Sequence, residues 1–312
     1  MIILSEKYEL HKDLKNDRQV NFGNFSPLRI KLINGFLAFS CAFFTPGKDI
    51  KKDKKKFVSY DGKKITATIY EPKNIGQNAP CLIYYHGGGF FLHEANSHHR
   101  TVCSYAKNAN CKIIFVHYRT APEHPFPTPA EDAYSALLWV HEHADELGID
   151  IDKIAVGGDS SGGALAAAVT LMARDRKGPA ICFQMLIYPV TDYTQTSNSI
   201  KEFFDAPGWS AENTKQMWEL YLKDGDKGML SYASPMSAAS FSNLPPAFIE
   251  IEEFDCLRDE GNNYANKLQE NNVDVTLKQL KGTVHGFDMN GDINITKQAR
   301  VERANILKIH FK

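Results

Sequence analysis

The chain has 312 residues, of which 43% are hydrophobic and 23% are charged, and its formal net charge is -1 at pH 7. This composition is typical of a globular protein with a sizeable core, and the length fits one large α/β domain or two smaller ones. The near-zero net charge argues against nucleic acid or an anionic membrane as the dominant partner, since both require a clear basic excess.

The six cysteines include no C-x-x-C pair, so the sequence predicts no zinc site and favours buried free thiols in a reducing, cytoplasmic environment. The N-terminus lacks the pattern of a signal peptide. The most apolar stretch, residues 32–44, is too short to span a membrane. It predicts a buried helix or one that covers a site, and contact with a membrane surface stays open.

Residues 48–56 are rich in lysine, which predicts a solvated connector. We therefore expect residues 1–56 to form an N-terminal helical cap segment and linker, and residues 57–312 to form the main domain. In that domain, stretches typical of strands alternate with stretches typical of helices. Strands are predicted at residues 63–70, 81–85, 112–118, 154–156, 181–188, 248–251 and 275–280, and helices at 129–146, 161–174, 257–270 and 293–308.

This alternation predicts an α/β fold with a mostly parallel sheet and helices on both faces. Residues 191–241 interrupt the alternation with an aromatic-rich stretch that shows no clear strand. We predict a helical insertion there, above the carboxyl edge of the sheet, where ligands bind in open α/β sheets.

A G-x-S-x-G pattern, Gly158 to Gly162, lies between a predicted strand and a predicted helix. In that setting it is typical of a nucleophilic serine on a sharp turn. Ser160 has glycine two residues to each side, whereas its competitor Ser161 does not. No G-K-[ST] follows, which excludes a Walker phosphate loop.

The predicted strand at 81–85 ends in His86 and three glycines, residues 87–89. Such a loop leaves backbone N–H groups bare, and acyl transfer needs donors of this kind where the carbonyl oxygen becomes negative. We expect His86 to orient this loop rather than to act as a base.

Together, the glycine loop and the Gly-Asp-Ser-Ser-Gly turn resemble the hormone-sensitive-lipase-like family of α/β-hydrolases. Residues 118–123, 129–132, 255–261 and 285–287 agree as well, and the resemblance extends from about residue 57 to the C-terminus. It implies an eight-stranded, mostly parallel sheet with a helical cap. It also implies a serine carboxylesterase that hydrolyses short- to medium-chain acyl esters through an acyl-enzyme.

The resemblance further implies that Asp255 is the catalytic acid and His285 the base, and that the N–H groups of Gly88, Gly89 and Ser161 form the oxyanion hole. The order serine, aspartate, histidine is the one expected on this fold. Two positions depart from the family pattern, because serine replaces alanine at Ser161 and cysteine replaces proline after Asp255. The alternatives to these assignments are His98, His99, His117 and His124 for the base, and Glu252, Glu253 and Asp259 for the acid.

Aromatic residues of the insertion and of neighbouring loops are candidates for the substrate pocket, and among them we predict Phe90, Tyr188 and Trp209. No metal, organic cofactor, nucleic acid or integral membrane association is predicted, and a homodimer stays open. Two other functions remain: a small-molecule receptor on the same fold, which His285 disfavours, and hydrolysis of amides, carbamates or lactones.

Overall fold

One eight-stranded sheet organises the chain in the computed structural model, which describes residues 7–15, 23–289 and 291–312. Its spatial order is β1-β2-β4-β3-β5-β6-β7-β8. β2 is antiparallel to β1 and β4, and all other neighbours are parallel. The strands are β1 Ile50–Val58, β2 Lys64–Pro72, β3 Ala79–Tyr85, β4 Lys112–Val116, β5 Ile149–Asp159, β6 Phe183–Ile187, β7 Ala247–Glu252 and β8 Val275–Leu280.

The described helices are α1 Pro27–Ala42, α2 Asn96–Ala109, α3 Thr128–Glu142, α4 Ala144–Leu147, α5 Ser161–Asp175, α6 Asn198–Glu202, α7 Ala211–Tyr221, α8 Leu230–Ala233, α9 Arg258–Glu270 and α10 Asn294–His310. Two apolar clusters show that they cover both faces of the sheet. On one face α3, α5 and α9 pack against alternate strand residues such as Ile83, and on the other α2 and α10 pack against residues such as Leu82. The α/β class and the mostly parallel sheet are therefore as predicted.

The lysine-rich run differs from its prediction, because it forms the edge strand β1 rather than a connector. β1 pairs with β2 along nine residues, from Ile50 to Val58, so the boundary predicted after residue 56 falls inside a strand. Of its nine residues only Ile50 and Phe57 are buried. Both faces of this edge carry exposed lysines, so its sequence lacks the apolar alternation that indicates a strand. Lysine on an edge also discourages pairing with other chains.

Two segments lie beside the carboxyl edge of the sheet. Residues 191–241 contain α6, α7 and α8, and α1 lies near them. Side chains of α1 and of the 191–241 segment meet at the cavity described below. Among the described residues, no helix has the length and apolarity needed to cross a bilayer.

Candidate active site

Ser160 occupies the sharp turn between β5 and α5, with φ 55° and ψ -121°. Its N–H donates to the Ile187 carbonyl at 2.8 Å, and its own carbonyl accepts the N–H of Val190 at 3.2 Å. A Cβ at Gly162 would lie 2.0 Å from the Tyr85 carbonyl oxygen, so this helix start can pack on β3 only with glycine there. Hydrogen bonds with Ile187 and Val190 and close packing on β3 thus hold a strained backbone, as is typical of functional sites.

A chain of hydrogen bonds joins three residues that are far apart in the sequence. The Ser160 hydroxyl lies 2.8 Å from Nε2 of His285, and Nδ1 of His285 lies 2.7 Å from Oδ2 of Asp255. Oδ1 of Asp255 accepts the N–H of Leu257 at 2.8 Å. Because the carboxylate accepts from Nδ1, Nε2 is left with a lone pair for the serine proton. His285 and Asp255 lie in the loops that follow β8 and β7, so the fold brings the three predicted residues together.

The alternatives to His285 and Asp255 have other partners. His98 contacts Asp159, and His117 lies 2.8 Å from both Thr68 and Glu94. Glu252 accepts from Thr283, and Glu253 accepts the N–H of Gly282. Among the described residues, none of these side chains bonds to Ser160 or His285.

The glycine loop that follows β3 supplies unpaired donors. Gly88 has φ 123° and Gly89 has φ 61°, and a Cβ on Gly89 would lie 2.8 Å from both Phe91 and Trp209. Within the described parts of the chain, the N–H groups of Gly88, Gly89 and Ser161 have no hydrogen-bond acceptor. Gly88 lines the same cavity as Ser160. The loop can therefore offer bare amides to a carbonyl oxygen bound at the serine.

Asp159, the residue before the serine, ties this loop to the turn. Its Oδ1 accepts the hydroxyl of Tyr84 at 2.6 Å and the N–H of Gly87 at 3.1 Å, and its Oδ2 lies 3.3 Å from Nε2 of His98. Burial alone would raise the pKa of Asp159, but the neighbouring His98 and the Tyr84 hydroxyl lower it to about 2. A fixed carboxylate thus holds the glycine loop in register with Ser160.

His86 packs behind this loop. Its Nδ1 lies 2.7 Å from the Gly87 carbonyl, and its ring stacks on Tyr118 at 4.4 Å. Burial lowers the pKa of His86 to about 4. These contacts agree with an orienting role.

A cavity of about 350 Å³ opens onto Ser160 and His285. Its walls combine residues of α1, the glycine loop and the 191–241 segment. The apolar lining includes Ile33, Leu37, Leu92, Tyr188, Trp209 and Met289. The Tyr188 ring meets His285 edge-on at 4.7 Å, and the Trp209 ring lies 6.0 Å from it. Among the residues that the structure describes, no group of His, Cys, Asp or Glu is arranged to hold a metal ion.

A family model described as alpha/beta hydrolase fold matches residues 82–289, which contain the serine turn, the glycine loop, Asp255 and His285. The chain belongs to this α/β-hydrolase family, in its hormone-sensitive-lipase-like branch. The resemblance seen in the sequence is thereby confirmed.

Relatives of this α/β-hydrolase carry esterase names. Carboxylic ester hydrolase LipN of Mycobacterium tuberculosis is 39% identical over 229 residues, which cover 72% of this chain and 61% of LipN. Carboxylesterase NlhH of the same species is 39% identical over 237 residues, 75% of this chain and 74% of NlhH. The solved structure of a bacterial heroin esterase matches with a TM-score of 0.89 at 31% identity and covers 97% of this chain and 98% of its own.

Of the pocket residues predicted for this hydrolase, Tyr188 and Trp209 line the cavity, and Phe90 does not. Phe90 is completely buried and stacks on Tyr221 of α7, with ring centroids 3.7 Å apart and planes 4° apart. Its φ of 63° continues the left-handed turn of the two glycines before it. Phe90 therefore joins the glycine loop to the 191–241 segment as packing, and its prediction as a substrate contact is corrected.

The roles of other residues of this α/β-hydrolase site were not predicted. Asp159 and His98 line the cavity as a buried pair; Asp159 belongs to the predicted serine turn, and His98 was considered only as an alternative base. His98 lies on α2, a helix that was not predicted from the sequence. Ile33 and Leu37 fall within the apolar stretch for which a site-covering helix was one of two expectations.

Proposed function

We propose that this protein is a serine carboxylesterase that hydrolyses short- to medium-chain acyl esters, with Ser160 as nucleophile, His285 as base and Asp255 as the acid that orients it. The observation that carries the proposal is the hydrogen-bonded chain from Ser160 through His285 to Asp255, beside unpaired backbone amides. The family and the esterase names of its relatives support the same reaction class.

In the acylation step, the Ser160 oxygen attacks the ester carbonyl while Nε2 of His285 takes the serine proton. The carbonyl oxygen becomes negative and accepts hydrogen bonds from the N–H groups of Gly88, Gly89 and Ser161. The imidazolium then protonates the leaving alcohol as the ester C–O bond breaks. Asp255 stabilises the positive ring, because its carboxylate is held by the Leu257 N–H and lies against Nδ1.

Deacylation repeats these events with water. His285 removes a proton from water, the hydroxide adds to the acyl-enzyme carbonyl, and the same amides stabilise the negative oxygen. The carboxylic acid leaves, and the serine oxygen recovers its proton from His285. Besides the ester and water, these steps use the side chains and backbone amides named above.

Substrate size follows from the cavity. Its volume of about 350 Å³ lies at the lower end of the range for small-molecule pockets. Its apolar walls suit an acyl chain and a small alcohol, and offer few polar partners for a highly hydroxylated substrate. We propose a cytoplasmic location as well, because all six cysteines are free thiols.

The deciding experiment compares the purified protein with its Ser160→Ala variant on p-nitrophenyl acetate. Loss of the nucleophile should lower kcat by at least ~10,000-fold while the circular dichroism spectrum is unchanged. Ser240→Ala, on an exposed loop, is the control and should retain full activity. A fluorophosphonate probe should label Ser160 once per chain, as judged by mass spectrometry of the peptides.

Turnover that persists in Ser160→Ala would refute the assignment. Tight ligand binding by the unaltered protein without any turnover would favour the receptor alternative. A series from p-nitrophenyl acetate to decanoate then measures the acyl-length limit, and we expect kcat/KM to fall once the chain outgrows the cavity.

A further inference from the structure

Helix α1 is apolar on two opposite sides. Its inner side packs on the protein through residues such as Ile30 and Cys41, and Ile33 and Leu37 on this side line the active-site cavity. Its outer side carries five large apolar residues, here called the apolar stripe, each between 66% and 71% exposed. The stripe consists of Leu28, Leu32, Phe36, Phe39 and Phe43.

The stripe is one continuous feature. Its members are separated by four, four, three and four residues, so at 3.6 residues per turn they fall within an arc of about 80° along α1 and its C-cap. The rings of Phe39 and Phe43 contact each other edge-on at 5.1 Å. Single exposed apolar residues are ordinary, but a contiguous row of this size marks an interaction surface.

The charged side chains of α1 itself are cations. Residues 23–48 contain no Asp or Glu, and the two charged side chains of α1, Arg29 and Lys31, are exposed cations on either flank of the stripe. On the Lys31 flank, Glu94 and Glu123 line a groove beside α1, so the cations that favour an anionic partner are those of α1 and of the groove described next.

A basic groove continues from the C-terminal end of α1. It is lined by Phe44 and by three cations, Arg100, Lys297 and Arg300, with Asp292 as the carboxylate among its lining residues. Asp292 is bonded to Arg300 at 2.7 Å, whereas Arg100 and Lys297 are exposed and form no ion pair within the described residues. Arg300 is only 4% exposed, and its Nε has no acceptor in that part of the chain.

We propose that α1 docks this protein on an anionic lipid surface. The apolar stripe enters the boundary between headgroups and acyl chains, and the basic groove binds lipid phosphates. Aromatic and aliphatic side chains in one row with cations on their flanks are the features of helices that lie in a membrane interface. A second copy of the chain is the competing occupant of the stripe, and the test below distinguishes it.

Docking would put the active site beside its substrates. This consequence rests on the proposed function, whereas the docking itself does not. The helix that lies in the interface also contributes Ile33 and Leu37 to the cavity wall. An ester dissolved in the lipid would then reach Ser160 along one helix. The protein would thus favour esters that partition into membranes over equally small but fully water-soluble ones.

The test is co-sedimentation of the full-length Ser160→Ala protein with vesicles, so that no hydrolysis alters the lipid. Vesicles of phosphatidylcholine with phosphatidylglycerol should bind the protein at least tenfold more tightly than phosphatidylcholine alone, and added salt should weaken that binding. The double variant Phe36→Ser, Phe39→Ser should lose at least tenfold in affinity for the mixed vesicles. Arg100→Gln with Lys297→Gln should remove most of the preference for the anionic lipid.

Ile309→Ser is the matched control, because Ile309 is 62% exposed but lies on α10 outside the stripe, and it should bind as the parent does. The proposal is overturned if neither vesicle binds, if the stripe variant binds like the parent, or if the stripe instead holds a dimer that Phe36→Ser, Phe39→Ser converts to monomer in sedimentation velocity. Turnover of p-nitrophenyl acetate by the unaltered protein without vesicles tests the proposed function separately.

Discussion

At the scale of single residues, Asp159 links the nucleophile to the glycine loop. One of its oxygens accepts both the Tyr84 hydroxyl and the Gly87 N–H, and a Cβ at Gly87 would lie 2.3 Å from the other. The loop and the serine turn therefore fit each other only while this carboxylate stays in place. Asp159 bonds to Gly87 of the loop and not to the amides of Gly88 and Gly89 that would bind the carbonyl oxygen. It is therefore a positioning residue.

We predict that Asp159→Ala lowers kcat on p-nitrophenyl acetate by about 10–100-fold and changes KM little. Complete loss of one oxyanion donor costs about 100–1,000-fold, and misplacing donors should cost less. Steady-state kinetics would measure the split between kcat and KM.

Tyr84→Phe provides the comparison, since it removes one hydrogen bond to Asp159 but leaves the bond to Gly87. Its kcat should stay within about threefold of the parent, because the amides keep their place. An effect of Asp159→Ala on KM alone would contradict the positioning role.

At the scale of elements, a buried ion cluster joins α10 to the sheet and to the catalytic histidine's loop. Arg303 of α10 donates to Glu250 of β7 and to Asp288, three residues after His285. Asp288 in turn accepts the hydroxyl of Tyr188 at 2.6 Å, and that ring packs edge-on against His285. Each of the three charged side chains is at most 2% exposed.

Arg303→Met should lower the free energy of unfolding by about 3–5 kcal/mol, because it leaves two buried carboxylates without their cation. Urea unfolding followed by circular dichroism measures this change. The surface pair Lys267 and Glu270, joined at 2.6 Å, is the control, and Lys267→Met should cost less than about 1 kcal/mol. Equal costs for the two variants would show that the cluster contributes no more than an exposed ion pair.

Strands that are buried on both faces were predictable from the sequence, whereas the prediction of peripheral elements was uneven. The buried strands β3 and β7 lie within a residue or two of their predicted bounds because apolar runs mark them, and the half-exposed edge strand β8 was also predicted at its bounds. β1 was mistaken for a connector because an edge strand exposes lysines on both faces. α2 was missed because its sequence is mostly polar, with buried histidines taking positions that apolar residues usually fill.

The site residues divide in a similar way. Ser160 and the glycine loop are marked by local motifs, whose glycines are needed for steric reasons visible within a few residues. The packing position of the Phe90 side chain depends on Tyr221. This residue lies 131 positions later in the sequence, and only folding brings it near. The partners of Asp159 lie on β3 and α2, so no local pattern reveals them.

At the scale of the whole molecule, the N-terminal region and the sheet are joined by an aromatic cluster around His99 of α2. Its ring stacks on Phe44, just after α1, at 5.1 Å and lies 4.7 Å from Phe115 of β4. Its Nδ1 lies 2.9 Å from the Tyr70 hydroxyl of β2. Burial lowers the pKa of His99 to about 3, and burial lowers that of His86 to about 4.

These two neutral histidines make the stability of the fold sensitive to acid. An unfolded histidine has a pKa of about 6.5. Below that pH the two histidines bind protons in the unfolded chain but stay neutral in the folded chain. Their contribution to the free energy of unfolding is complete above pH ~6.5 and is lost as the pH falls towards their pKa values in the folded protein. Within this window, each of the two histidines lowers the free energy of unfolding by up to about 1.4 kcal/mol for every unit by which the pH falls. His98 acts in the opposite direction, because Asp159 outweighs burial and raises its pKa.

We therefore predict that the free energy of unfolding, measured with urea, falls between pH 6.5 and about 4.5 in the unaltered protein, as the linkage requires. His99→Phe should be less stable at pH 7.5, because the Tyr70 hydroxyl loses its partner, but its stability should fall less steeply with acid. His124→Gln, a change at an exposed histidine, should leave the slope unaltered. If the free energy of unfolding of His99→Phe and of the unaltered protein had the same slope against pH, His99 would take no part in the acid response. That response would then have to arise elsewhere in the fold.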